Sequence, residues 1–143
     1  NRFAELADRI IENKKLAVIF TGSVEERANI EKIRGLMKNK AVNAAGVLSL
    51  RQLCVLLNKC ELFISNNTGP MHLSIVQEVP SVIISAPTSF IRWIPKGADF
   101  LTTVPLYNAK ASQNERHEEI AKDLSEVTVE DVWNAVDKKI SQN

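Results

Sequence analysis

What the sequence lacks removes several functions before any motif is read. No GxGxxG opens a helix after an apolar strand, and no GxxxxGK followed by Ser or Thr occurs, so neither the dinucleotide fingerprint nor the P-loop is supported. No nucleophile elbow and no cluster with metal-ligand spacing is present. The two cysteines, Cys54 and Cys60, fall in a helix-then-strand pattern among apolar neighbours. Their spacing suits neither zinc nor a redox pair, and predicts free, buried thiols in a reducing compartment. An excess of one charge is missing too: Lys and Arg number 18 against 17 for Asp and Glu, a formal net charge of +1. With no basic run interleaved with aromatics, nucleic acid is not expected as a partner. No apolar run approaches the ~18 residues a bilayer span requires, and no signal-peptide pattern is present. Repeats and low-complexity segments are absent as well.

What is there fits one domain, residues 1–143, able to bury a substantial core. A hydrophobic fraction of 45% and a charged fraction of 24% are those of a soluble globular chain.

Apolar residues Phe3, Leu6, Ala7, Ile10 and Ile11 recur at helical spacing, so the chain opens in an amphipathic helix. No strand precedes it, which for an α/β pattern suggests a piece of a longer parent chain. Leu16 to Phe20 is a fully apolar strand of the kind covered on both faces in parallel sheets. Thr21-Gly22-Ser23 then makes a tight loop, with Glu25 and Glu26 in the first turn of the next helix. The core stripe of that helix is Ala28, Ile30, Ile33, Leu36 and Met37, and Lys38-Asn39-Lys40 ends it. A weaker strand at Ala41 to Ala45 precedes Gly46. Ser49 caps a third helix with Leu50, Leu53, Cys54 and Leu57 on its apolar face. Glu61 to Ile64 and Pro80 to Ser85 are further strands, with a helix between them through about Gln77. Between Ala86 and Ser112 the pattern is irregular, apart from a short strand at Phe100 to Val104. Thr128 with Asp131 forms an acidic capping box for a last helix that buries Val129, Val132, Val136 and Ile140, Trp133 flanking them. Strand and helix alternate, which argues for a right-handed, Rossmann-like α/β fold with a doubly wound parallel sheet.

The most informative stretch is Ser65 to Leu73. A polar turn ends in Gly69-Pro70, and proline is pre-organised for the first position of a helix. Leu73, Ile75 and Val76 would continue as its apolar side. The N–H groups of Met71, His72 and Leu73 would then lack intrahelical partners, at the end of the helix that suits a phosphate. Asn67, Thr68 and His72 add side-chain donors. The plainer reading is an ordinary capped turn with a structural histidine. Position favours the cradle: three loops, at Thr21 to Ser23, Asn66 to Pro70 and Ala86 to Ser89, fall at carboxyl ends of strands, where α/β sheets bind ligands.

With these pieces in order, the chain resembles the C-terminal half of the bacterial heptosyltransferases, glycosyltransferase family 9. The resemblance rests on Phe3-Ala4-Glu5-Leu6-Ala7, on Thr21-Gly22-Ser23 with Glu25-Glu26, and on Leu48 to Leu53. Its most specific string is Asn67-Thr68-Gly69-Pro70-Met71-His72-Leu73, and Ala86-Pro87-Thr88 with Trp93 and Pro95 extends it. It implies the donor-binding half of a GT-B glycosyltransferase, moving a heptose-like sugar from an ADP-sugar to a lipopolysaccharide core acceptor. The partner half, N-terminal, would bind the acceptor and supply the catalytic base, so no catalytic residue is expected here and the chain alone would be inactive. No metal or other cofactor is implied, because helix dipoles and backbone donors replace a cation. The full enzyme would be cytoplasmic, peripheral at the inner face of the inner membrane. Carried over by position, Asn67, Thr68, Gly69, Pro70, Met71 and His72 would hold the diphosphate and sugar, and a protonated His72 would add a charge-assisted bond. Thr21, Gly22 and Ser23 would line the adenosine, with Glu26, or less readily Glu25, accepting from the ribose.

One departure stands out. The family's acid before Thr-Gly is Asn67 here, and an amide offers one acceptor and two donors where a carboxylate only accepts. The rival reading is therefore a non-catalytic nucleotide- or protein-binding module. A receiver domain is set aside for want of paired acids after the first strand.

Overall fold

The computed structural model describes residues 2–85, 98–104 and 126–141. The expectations for residues 86–97 and 105–125 lie outside them, including the third loop and the Trp93 and Pro95 part of the resemblance. The chain divides into two compact units, Asn1–Val55 and Leu56–Asn143.

The first unit opens with α1 (Arg2–Lys14), whose buried side is Ala4, Leu6, Ala7, Asp8 and Ile10. Phe3, expected in that stripe, is exposed and its place is taken by Ala4 and an acid. Strands β1 (Ile19–Phe20) and β2 (Val42–Asn43) pair in parallel. Their bonding runs past both ends, from Val42 N–H to Val18 C=O (3.0 Å), through Ala44 N–H to Phe20 C=O (2.8 Å), to Gly46 N–H on Gly22 C=O (2.9 Å). The strand was expected to be covered on both faces, but Ile19 and its neighbour Val42 are exposed. Helix α2 (Arg27–Gly35) begins later and ends earlier than its apolar pattern suggests, and of the expected stripe only Ile30 is fully buried.

Asp8 explains why an acid lies in the buried face of α1. Its carboxylate accepts from the backbone N–H groups of Lys38 and Asn39, both at 2.8 Å, and from the Asn39 amide at 3.0 Å. These bonds hold α1 against the connection between α2 and β2. Burial alone would raise the Asp8 pKa, but the two backbone donors and the Asn39 amide outweigh it and hold it below 3.8.

Helix α3 (Leu50–Leu57) carries the division between the units. Its start is a capping box: Gln52 N–H donates to Ser49 Oγ at 3.3 Å and Ser49 N–H to Gln52 Oε1 at 2.8 Å. Leu57 is its one fully buried residue, while Leu50 is exposed. Cys54 and Cys60 are free thiols, half-buried rather than buried, and burial pushes the Cys60 pKa up.

The second unit is built on a three-stranded parallel sheet in the order β3 (Phe63–Asn66), β4 (Ser81–Ile84), β5 (Leu101–Val104). Phe63 faces Ser81, and Ser81 faces Leu101. Helix α4 (Gly69–Val76) packs against β3, and α5 (Val129–Ile140) against β4 and β5. Met71, Ile75 and Ile83 form a core cluster, with Phe100 and Leu101 against it. The buried side of α4 is therefore Met71, Ser74 and Ile75, not the expected side through Leu73 and Val76; Val76 is 83% exposed. Thr128 and Asp131 form both bonds of the expected capping box on α5. That helix buries Val132, Trp133, Ala135, Val136 and Lys139, whose amine bonds to the Asp99 carbonyl. Val129 and Ile140, expected in the core, are half-buried.

Replacing Asp8 with Ala should cost roughly 1 kcal/mol, because it strands two part-buried backbone donors. The folded pKa lies below the ordinary value, so the stabilisation is complete above about pH 4 and fades as pH falls through the folded pKa. Urea unfolding of the wild type and Asp8→Ala between neutral pH and pH ~2.5 should show the gap between them closing as acid is added. A gap that is constant with pH would contradict this role.

Candidate functional site

Two loops at carboxyl ends of parallel strands carry the residues singled out in the sequence, one in each unit.

In the second unit, β3 ends at Asn66 and α4 starts at Gly69. Thr68 is the N-cap, extended at φ −136 and ψ 175, and its side chain makes no capping bond to the helix. Its hydroxyl turns back instead, 3.3 Å from Ser65 Oγ and 3.4 Å from the Asn66 carbonyl. Gly69 is thus the first helical residue and Pro70 the second, one position later than expected. The proline suits that place for the same reason, since early helical positions have no intrahelical acceptor for an N–H.

The cradle is narrower than the sequence suggests. Met71 N–H, expected to be open, donates to Thr68 C=O at 3.0 Å, and the Met71 side chain is fully buried in the core. Gly69 N–H has no acceptor among the described residues, and a Cβ built on Gly69 meets nothing within 4 Å. Thr68, Gly69 and His72 are exposed, and Asn67 and Pro70 are half-buried. Among the described residues, the result is an uncapped helix start with polar side chains beside it and no neighbour at Gly69. Such a start carries partial positive charge and can receive an anion.

In the first unit, Thr21-Gly22-Ser23 continues the β1 pairing through the Gly22 carbonyl. Glu25 and Glu26, expected in the first helical turn, precede the helix: Glu26 is the N-cap of α2 and makes no capping bond. Its Oε2 instead accepts from Ser23 N–H at 2.7 Å. The Ser23 side chain holds the Glu25 pKa below its ordinary value. The Ser23 N–H is therefore committed to Glu26, and the Thr21 hydroxyl has no partner among the described residues.

Residues that the sequence did not single out fix the neighbouring turn. Asn43 Oδ1 accepts from Ala45 N–H at 3.0 Å, while its amide donates to Glu31 Oε1 at 2.8 Å and to Arg27 C=O at 3.2 Å. Arg27 Nη1 donates to Ala45 C=O at 2.8 Å. Arg34 makes two bonds to Glu31, at 2.7 and 2.8 Å. The Asn43 amide, and after it Arg34, lowers the Glu31 pKa. Both polar groups of the Ala45 backbone are thus held, and Gly46, at φ +70, is aimed at Gly22. A polar residue closing an apolar strand was the available signal for Asn43.

Among the described residues, no three His, Cys, Asp or Glu residues group as a metal site, and no helix is long and apolar enough to cross a membrane.

An α/β chain with parallel sheets and open helix starts at strand ends defines a class of ligand-binding fold rather than one protein. The model of glycosyltransferase family 9 (heptosyltransferase) matches residues 1–133, and the chain belongs to that family. It is 32% identical over 95 residues to lipooligosaccharide heptosyltransferase 2 of Campylobacter jejuni, covering 65% of this chain and 30% of that protein. It is 33% identical over 95 residues to the lipopolysaccharide core heptosyltransferase OpsX of Haemophilus influenzae, covering 65% and 27%. The crystal structure of the family 9 glycosyl transferase from Veillonella parvula matches 99% of this chain and 41% of its own, with a TM-score of 0.81 and 26% identity. The ADP-heptose lps heptosyltransferase II of E. coli matches in fold, with a TM-score of 0.76 at 20% identity. The chain thus spans less than a third of the length of these two curated relatives.

Gly46 tests the loop geometry. A Cβ there would lie 2.7 Å from Val24 Cγ2 and 2.9 Å from Val24 Cα, at a φ that L side chains rarely adopt. Gly46→Ala should destabilise by roughly 1–3 kcal/mol in urea unfolding. A change under about 0.5 kcal/mol would show that the Gly22–Gly46 link does not constrain the turn.

Proposed function

We propose that this chain is the nucleotide-sugar donor-binding half of a glycosyltransferase that moves a heptose-like sugar from an ADP-sugar to a lipopolysaccharide core acceptor. Membership of family 9 supports the reaction class. The observation that carries the donor role is the start of α4, where Thr68 withholds its hydroxyl from the helix and no described residue lies within 4 Å of where a Gly69 Cβ would stand. A diphosphate there would accept from Gly69 N–H, with Asn67, Thr68 and His72 as further donors and the dipole in place of a cation. Pro70 and Met71 then serve by shaping the turn. In the first unit, Thr21, Gly22 and Ser23 are assigned to the nucleoside. No metal or other cofactor takes part in this reading. The acceptor and the general base belong to a partner half, N-terminal to these 143 residues, and the whole enzyme works at the cytoplasmic face of the inner membrane.

Two outcomes follow. Calorimetric titration with EDTA present should show ADP binding, and Gly69→Val should weaken it more than His72→Ala. The valine side chain would fill the space the oxygens need, whereas the histidine supplies one contact of roughly 1.5–3 kcal/mol if charged. Both variants should fold, since no described residue lies within 4 Å of where a Gly69 Cβ would stand and His72 is exposed. Loss of binding in EDTA, or a Gly69→Val variant as tight as wild type, would reduce the cradle to a structural turn. Separately, the chain alone should transfer no sugar to a lipopolysaccharide core acceptor, since general-base catalysis needs a carboxylate within hydrogen-bond reach of the acceptor hydroxyl. Measurable turnover by the chain alone would refute the two-half account.

A further inference from the structure

Glu26 has two readings. As an exposed acid beside a nucleoside loop it could accept from a ribose. Its contacts point elsewhere. Its Oε2 takes Ser23 N–H at 2.7 Å, and the same oxygen lies 2.8 Å from where a Cβ of Gly22 would stand. The carboxylate therefore lies across the bare Cα of Gly22 to reach the next residue's N–H. A side chain at Gly22 would displace it.

We infer that Glu26 is a positioning residue: its carboxylate clamps the Ser23 N–H across the side-chain-free Gly22, fixing the loop, and does not itself contact the ligand. The word ligand rests on the nucleoside role proposed above for this loop; the clamp does not. Gly22 and Glu26 then act as one device, the glycine giving the space and the acid closing it. With the N–H of Ser23 taken by Glu26 and Gly22 C=O held by Gly46, the side-chain groups the loop presents to a ligand are the hydroxyls of Thr21 and Ser23.

The distinction is measurable in the ligand-free protein. Amide exchange of Ser23, followed by NMR, should quicken about fivefold or more in Glu26→Ala, because an amide that loses its acceptor loses protection. Glu26→Gln keeps a carbonyl acceptor and should stay near wild type. Gly22→Ala should quicken the same amide, and the double variant should be no faster than the faster single variant. Unchanged exchange in Glu26→Ala, or additive effects of the two substitutions, would overturn the clamp. A second arm measures ADP and 2′-deoxy-ADP affinities. Glu26→Ala should weaken both alike and leave their ratio as in wild type, whereas a ratio that falls toward one would make Glu26 a ribose contact and sink the inference. Wild-type protein that binds neither nucleotide would refute the nucleoside role of the loop, and the exchange data would still decide the clamp.

Discussion

Every strand pair described here is parallel, and that constraint governs the rest of the structure. Parallel neighbours cannot be joined by a tight hairpin, and among the described residues β1 returns to β2 through α2 and β3 to β4 through α4. The turns after β1, β2 and β3 each lead to a helix start. The helix starts then differ in how their polar groups are satisfied. Helices α3 and α5 close theirs with capping boxes, Ser49 with Gln52 and Thr128 with Asp131. Helices α2 and α4, which follow the two candidate loops, have no side-chain cap.

The reasons for the two open starts are local and different. At α4 the Thr68 hydroxyl is drawn back toward Ser65 and the Asn66 carbonyl. At α2 the Glu26 carboxylate is drawn back to Ser23. In both, a side chain that could have closed the helix bonds to the preceding turn, a competition open to short polar side chains near backbone groups. The turn gains order and the helix start stays available. That trade suits a binding edge better than a structural one, and it occurs in a chain whose family is one of glycosyltransferases.

Much of this was legible in the sequence, and the misses have physical causes. The alternation of strands and helices, the Thr128 capping box and the position of the Gly69-Pro70 turn could be read because each depends on local chemistry. The buried face of α4 could not. Its eight residues are apolar on most sides, so periodicity selects no stripe, and packing against β3 puts Met71 and Ile75 inward and leaves Val76 out. The start of α2 differs from the pattern because acids after a loop suit a first helical turn, whereas here Glu26 bonds backward to Ser23. Asp8 was passed over because its burial is set by donors some thirty residues away in sequence, at Lys38 and Asn39. Asn67 and His72 were legible only as candidates, because a polar residue in a turn has the same pattern whether it serves the fold or a ligand.

The described glycines divide into two kinds, according to whether atoms of the described residues fill the place of a side chain. At Gly22 and Gly46 the protein's own atoms occupy the place of a side chain, so selection for a folded chain alone would keep them. At Gly69, as at Gly35, no described residue does. A library of variants sorted first for folding and then for ligand capture would therefore separate the positions. Depletion at residues 22 and 46 would come in the first sort, and residue 69 would drift freely until the second.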